Sequence, residues 1–337
     1  MTKVLVTGCA GFIGMHCAAH LLTRGDEVIG VDNLSPYYPI ELKRDRLRRL
    51  EQEKGFCFVK LDLADAGALG KLFAKHKPQA VLHLAAQPGV RHSLENPGSY
   101  VQANLVGFAN LLEAVRAHAP RHLVYASSSS VYGGNARLPW SESDNVDHPV
   151  SLYAATKKSN ELMAHVYSHL FGLPATGLRF FTVYGPWGRP DMSPVLFAHA
   201  IMDGQPIKVF NHGDMQRDFT YVDDVVEGTL RVLDDPATPE PAFDASEPDP
   251  ATSWAPWRIY NIGNHQPIGL LDYIAALERA LGKQAIKQFE PMQPGDVRST
   301  FADTRRLDGA VGFTPSTPLE EGLARFAQWF KRYYGYA

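Results

Sequence analysis

Short runs rich in β-branched residues alternate with longer amphipathic stretches through the first two thirds of the chain. That is the pattern of strand–helix–strand units on a parallel sheet. The expected strands are Val4 to Thr7, Glu27 to Val31, Cys57 to Leu61, Ala80 to Leu84, His122 to Ser127 and Ala175 to Phe180. Between them, Ile13 to Arg24, Ala66 to Lys75, Tyr100 to His118 and Leu152 to Phe171 read as helices, because apolar residues recur at spacings of three and four. Leu105, Phe108, Leu111, Leu112 and Val115 show that spacing. Six such parallel strands make a doubly wound α/β sheet.

After Phe181 the alternation breaks down, and a Gly- and Pro-rich region leads to a short apolar strand, Ile207 to Phe210. Asp223 to Leu233, Leu270 to Leu281 and Leu319 to Tyr334 read as further helices. The pattern predicts a first unit over 1–180 that takes back about 218–235. A smaller C-terminal α/β unit is expected over 181–217 and about 258–337. Residues 234–257, dense in Pro, Ala, Asp and Glu with little periodicity, read as a mobile surface loop.

Composition narrows the partners. Thirty-three Lys and Arg against 36 Asp and Glu give a net charge of −3, so neither nucleic acid nor an anionic membrane is expected to be held by charge. Any phosphate must be gripped locally. The three cysteines, Cys9, Cys17 and Cys57, lack metal-ligand or redox-pair spacing and read as reduced thiols. No metal site is expected, since none of the 13 histidines stands in a metal-ligand pattern. Without a signal-peptide pattern or an apolar run of membrane-spanning length, the expected location is the cytoplasm.

Thr7-Gly8-Cys9-Ala10-Gly11-Phe12-Ile13-Gly14 follows the first strand and opens the first helix. Gly8 permits a tight turn, Gly11 lets the backbone approach a pyrophosphate, and Gly14 lets helix and strand pack closely. The helix N-terminus adds donors and positive potential, with Phe12 and Ile13 in its first turn. Asp32, with Asn33 beside it, ends the second strand about twenty residues on, where a carboxylate accepts from a ribose hydroxyl. A 2′-phosphate would meet that charge at close range, so Asp32 selects NAD over NADP. Asp62 and Leu63 after the third strand, and Leu84, Ala85, Ala86 and Gln87 after the fourth, complete the expected NAD site, together with Asn104. The first unit is then a Rossmann-type NAD-binding domain and the second a substrate domain.

Tyr153-Ala154-Ala155-Thr156-Lys157 places a phenol and an ammonium on one helix face, about one turn apart. A tyrosine of pKa ~10 acts as a base near neutrality only if lowered by roughly three units, about 4 kcal/mol. Lys157 and a cationic nicotinamide ring would do so. Ser127, Ser128, Ser129 and Ser130 end the fifth strand, so serines, tyrosine helix and glycine loop converge at the carboxyl edge of the sheet, where open α/β sheets bind ligands.

With the Thr7-to-Gly14 loop, Tyr153, Lys157 and the serine run before Val131-Tyr132-Gly133 in place, the chain resembles the extended short-chain dehydrogenase/reductase superfamily over essentially its whole length. The resemblance implies that Tyr153 is the base, that Lys157 positions the nicotinamide ribose, and that a serine holds the sugar hydroxyl. Counting back from Val131 puts that serine at Ser128, with its neighbours in the run one position away. The resemblance also implies a homodimer through a bundle of the helices beginning near Tyr100 and Leu152.

Relatives that eliminate water from the sugar carry an Asp-Glu pair after the serine, and decarboxylating relatives carry a glutamate before the valine. This chain has Ser129 and Ser130. The stretch from Arg179 through Thr182 and Gly188-Arg189-Pro190-Asp191 to Met192 looks like the signature of UDP-glucuronate 4-epimerases, as does Gly89-Val90-Arg91-His92-Ser93 apart from His92. The resemblance therefore implies 4-epimerisation of a UDP-sugar, UDP-glucuronate to UDP-galacturonate. Hydride passes to a retained NAD, the 4-keto sugar turns, and hydride returns to its other face. A 4-keto uronate loses CO₂ readily, so its carboxylate must be held. Ser129, Ser130 and Thr182 are expected to donate to it, with Arg189 as charge partner or loop anchor.

By the same resemblance, Arg217 and Arg298 clamp the diphosphate, Asp296 orients Arg298, Arg91 belongs to the substrate site, and Val209 and Phe210 lie at the uracil. Three other readings stay open: a 4-epimerase of a neutral UDP-sugar, a decarboxylase of the same fold, and a catalytically silent NAD-binding protein.

Overall fold

The computed structural model describes residues 1–293 and 296–336. Pro294 and Gly295, which precede Asp296 in the clamp motif, and Ala337 at the end of the second unit, lie outside the described residues. The strands are β1 (Lys3–Thr7), β2 (Glu27–Asp32), β3 (Phe56–Lys60), β4 (Ala80–His83), β5 (Leu123–Ser128), β6 (Ala175–Phe180), β7 (Thr182–Tyr184), β8 (Pro206–Val209), β9 (Gln216–Tyr221), β10 (Trp257–Ile262), β11 (Pro267–Gly269) and β12 (Ile286–Phe289).

A seven-stranded parallel sheet in the order β10-β6-β5-β4-β1-β2-β3 forms the centre. The expected six strands are all present, and β10 is the addition, paired with β6 from Trp257 opposite Ala175 to Ile262 opposite Phe180. This corrects the boundary at 258, because 257–262 belongs to the large sheet. Strand order reverses at β1, which pairs with β2 on one side and β4 on the other. The crevice beside such a reversal is where doubly wound sheets hold ligands.

Alternation along the central strands explains both layers. Val4 and Val6 face a core shared with Cys17, Leu21, Val124 and Leu178, while Leu5 faces Val81, Leu111, Leu112 and Leu123. Helices Phe12–Thr23 and Val222–Asp234 pack against each other. The return to the first unit therefore begins with the helix at Val222 and not at 218, because Asp218–Tyr221 lie in a separate three-stranded sheet, β11-β9-β7. A two-stranded sheet of β12 and β8 and helices Leu270–Leu281 and Leu319–Tyr334 complete the smaller part.

The Leu152–Phe171 helix is bounded by local chemistry. Ser151 caps its start, accepting from the Ala154 N–H at 3.1 Å, and Gly172 ends it with φ of 63°. Tyr153 thereby stands in the first turn. Helices Ile40–Leu50 and Ser193–Met202 went unread in the sequence. The first hides because its buried face carries Lys43 and Arg46 beside Leu42, Leu47 and Leu50. Residues 234–257 are anchored towards their ends: Ala251 and Ser253 are buried, Glu240 and Ser253 share a backbone bond of 2.8 Å, and Arg258 reaches Glu240. Among the described residues no helix is long and apolar enough to cross a membrane.

Candidate active site

One cleft of about 560 Å³ runs along the carboxyl ends of the central strands, within the usual ~300–1,000 Å³ of ligand pockets. Gly8, Gly11, Phe12, Ile13, Gly14, Asp32, Asn33, Asp62, Leu63, Leu84, Ala85, Ala86 and Gln87 all line it, as do Ser128, Ser129, Ser130, Tyr153, Lys157, Thr182 and Arg189. Residues named from separate stretches of sequence thus meet in one place.

The glycine loop is a cradle that side chains would fill. Gly8 has φ of 73°, and a Cβ there would lie 2.7 Å from the Ala85 nitrogen; one on Gly14 would lie 2.1 Å from the Gly8 carbonyl oxygen. The helix that follows has no side-chain cap, which leaves its first N–H groups for a phosphate. Asp32 is oriented by the Ala10 N–H at 3.2 Å and the Leu34 N–H at 2.8 Å, and Lys43 stands 3.7 Å away. Asn33 donates to Asp62 at 3.0 Å. Uncapped donors at one point and an oriented carboxylate at the end of β2 fit the pyrophosphate and ribose diol of NAD.

At the other end, the Lys157 ammonium donates to the Ala126 carbonyl at 2.7 Å. Burial lowers its pKa to about 8, opposed by the charge of Glu161. Burial pushes the Tyr153 phenol up, opposed by its hydrogen bond with Ser128 and by the charge of Arg189. A cationic ligand beside the phenol would add to the lowering that Ser128 and Arg189 supply. The Ser127 hydroxyl is spent on Glu161 at 2.6 Å, whereas Ser128 bonds Ser130 at 3.1 Å.

Beside them Ser129 and Ser130 lie in the helical turn Ser129–Tyr132, and Thr182 is at the start of β7. Arg189 lines the cleft while pairing with Asp191, Nε to Oδ1 at 3.1 Å and Nη2 to Oδ2. Tyr37 donates to the same carboxylate at 3.0 Å.

Several expected residues lie elsewhere. Asn104 is buried in the π-helical turn Val101–Val106 and does not line the cleft. It bonds the Gln87 N–H (2.8 Å) and carbonyl (3.1 Å) and the Thr156 hydroxyl (3.1 Å), so it supports the cleft wall from behind. Val209 is in the core, opposite Phe289, and its side chain cannot face a uracil. Asp296 holds Arg217 at 2.7 Å and Arg91 at 3.6 Å, with Arg91 over the Phe210 ring at 5.2 Å. Arg298 instead meets Asp214 at 2.9 Å and is exposed. Asp296 thus orients Arg217 rather than Arg298, whose guanidinium is taken by Asp214. Sequence reasoning missed Tyr37, Lys43 and Met192, which also line the cleft. Their only signal was nearness to Asp32 and Arg189.

A model of the NAD dependent epimerase/dehydratase family matches residues 4–263. Protein CapI of Staphylococcus aureus is 52% identical over 332 residues, covering 98% of this chain and 99% of CapI. A probable UDP-glucuronate 4-epimerase of Rhizobium meliloti is 48% identical over 336 residues, covering 98% of each. The crystal structure of UDP-glucuronic acid 4-epimerase from Bacillus cereus, in complex with UDP-glucuronic acid and NAD, superposes with a TM-score of 0.87 at 34% identity, covering 98% of this chain and all of that one.

Proposed function

The chain belongs to the NAD dependent epimerase/dehydratase family, and from that premise we propose that it is a UDP-glucuronate 4-epimerase, interconverting UDP-glucuronate and UDP-galacturonate. The observation that carries this reading is the wall of Ser129, Ser130, Thr182 and Arg189 in the same cleft as Tyr153 and Lys157. Three hydroxyls and a guanidinium suit a sugar carboxylate. No acid stands at 129 or 130 to drive an elimination. The proteins named above as UDP-glucuronate 4-epimerases support the choice of sugar.

Tyr153 takes the proton of the 4-hydroxyl and gives it back after the sugar has turned. Ser128 holds that hydroxyl against the phenol. Lys157, anchored on the Ala126 carbonyl, keeps its remaining protons for the cofactor ribose. NAD, when bound, supplies the hydride acceptor and, as a cation, the positive charge that lowers the Tyr153 phenol. Ser129, Ser130, Thr182 and Arg189 hold the carboxylate so that its bond to C5 stays near the plane of the 4-ketone, where CO₂ loss is slow. Arg217, oriented by Asp296, and Arg91 take the diphosphate. The large sheet then serves NAD and the two small sheets the nucleotide sugar.

We also read the protein as a cytoplasmic homodimer. The support is an apolar stripe, Leu162, Val166 and Leu170, exposed on the Leu152–Phe171 helix, with Val101 and Val106 exposed on the neighbouring helical stretch. Two copies pairing these helices would cover both.

The test is incubation of the purified protein with UDP-glucuronate and no added NAD, followed by NMR and CO₂ detection. UDP-galacturonate without pentose is the expected result. UDP-xylose or a 4-keto pentose as the main product would sink the reading, as would turnover of UDP-glucose alone.

A further inference from the structure

Beyond Asn33 and Lys43 beside the cofactor site, the segment between Asp32 and β3 fastens the loop that carries Arg189 at two points. Arg46, fully buried on the Ile40–Leu50 helix, donates from Nη2 to the carbonyls of Trp187 at 2.6 Å and Gly188 at 3.2 Å. From Nη1 it donates to the Ala10 carbonyl in the glycine loop at 3.0 Å and to the Tyr38 hydroxyl at 2.7 Å. The second fastening is the Tyr37 hydroxyl on Asp191 at 3.0 Å.

Burying a guanidinium against neutral carbonyls is expensive compared with an apolar side chain. No carboxylate pairs with Arg46 among the described residues. What its bonds achieve is placement. They clamp the two residues before Arg189 to the loop that cradles the cofactor phosphates, and they hold Trp187 in the left-handed region, φ 63°, which a bulky residue rarely adopts. Asp191, steadied by Tyr37, occupies the Nε and Nη2 edge of Arg189. Nη1 is left over for the cleft.

We propose that Tyr37 and Arg46 are positioning residues for Arg189, setting how firmly the substrate carboxylate is held while C4 is a ketone. The proposal rests on the UDP-glucuronate reading. If the carboxylate swings perpendicular to the carbonyl plane, the bond from C5 to the carboxyl carbon breaks. Its electron pair passes to the C4 carbonyl as an enolate, CO₂ leaves, and C5 takes a proton from water. A looser Arg189 therefore diverts the common intermediate from epimerisation to decarboxylation.

The measurement is the ratio of pentose products to UDP-galacturonate formed from UDP-glucuronate by the intact protein with its bound cofactor. Only active molecules contribute to a ratio, so partial unfolding does not move it. Tyr37→Phe removes one hydrogen bond and keeps the ring; from ~1 kcal/mol for such a bond, the ratio rises about 5-fold. Arg46→Lys is expected to raise it further, and if that variant does not fold, Tyr37→Phe decides alone. A wild-type protein that epimerises while Tyr37→Phe keeps the wild-type ratio, even at reduced rate, overturns the proposal and leaves the function standing. A wild-type protein that makes no UDP-galacturonate overturns the functional reading, and the proposal with it.

Discussion

Arg179 and Glu161 meet as a bidentate ion pair, Nε to Oε1 and Nη2 to Oε2 each at 2.9 Å, with both side chains closed off from water. Glu161 lies one turn beyond Lys157 and also accepts from Ser127, the residue before Ser128. Arg179 spends its third nitrogen on the Tyr132 hydroxyl at 3.0 Å. Ser127, Glu161, Arg179 and Tyr132 thus form one buried polar network behind the cleft, with Lys158 at its edge.

Removing one partner leaves a buried charge uncompensated. Glu161→Met and Arg179→Met are each expected to lower unfolding stability by ~3–5 kcal/mol, whereas the double variant with both residues replaced by Met loses far less than the sum of the single losses. Urea unfolding of the four proteins checks this. Additive losses would mean that the pair is not the unit described.

Gly14→Ala tests the cradle. With 2.1 Å between the added methyl and the Gly8 carbonyl, the loop has to move off its position. An overpacking penalty of ~2 kcal/mol corresponds to a loss of about 30-fold in NAD affinity. Cofactor content after purification and titration with NAD read the effect. A variant that retains NAD as the parent does would show that the loop accommodates the methyl elsewhere.

Thr182→Ala separates charged from neutral sugars. Losing one hydroxyl donor to a carboxylate, about 1–2 kcal/mol, raises the Kd for UDP-glucuronate by ~5–30-fold. Binding of UDP-glucose stays within about 2-fold, because no carboxylate is there to miss the donor. Calorimetric titration with both sugars measures the difference; equal weakening would place Thr182 outside the carboxylate site.

Glu142 carries a pH signature. Burial raises its carboxyl to about 7, against partial compensation by the Asn261 N–H. Its Oε2 has no hydrogen-bond partner among the described residues. A carboxyl whose folded pKa lies above its unfolded value binds more protons in the native state, so stability falls as pH rises from about 4.5 through 7. The full penalty, at most ~3 kcal/mol, is present above pH 7. Glu142→Gln removes that slope, and its thermal midpoint is expected to overtake that of the parent at pH 8 but not at pH 5. Parallel midpoint curves for the two proteins would refute the assignment.

The legible parts of the site were those in which neighbouring residues carry their own geometry. Gly8, Gly11 and Gly14 could be read because the turn and the helix start are local. Asp32 could be read because one helix and one strand, both short and regular, lead from them to it. Arg46 could not, since no motif surrounds it and an arginine without one reads as solvent-facing, and the carbonyls of Ala10, Trp187 and Gly188 with the Tyr38 hydroxyl make its burial tolerable. Arg298 and Arg217 looked alike in the chain, and Asp214 and Asp296 sorted them. Asn104 was assigned to the cofactor because its distance from Gln87 is invisible until the π-helical turn brings them together.

From the sequence alone came the doubly wound class, the glycine loop and the Tyr153–Lys157 face, because a period of two or of 3.6 residues is written in adjacent positions. The tertiary structure decided the seventh strand, β10, which pairs with β6 after a long excursion of the chain. It also decided what each charge near the sugar does. Tyr37 meets Asp191 across 154 residues and Arg46 meets Trp187 across 141. A charged side chain keeps or gives up its water according to which acceptors the fold closes over it, and those acceptors belong to other segments.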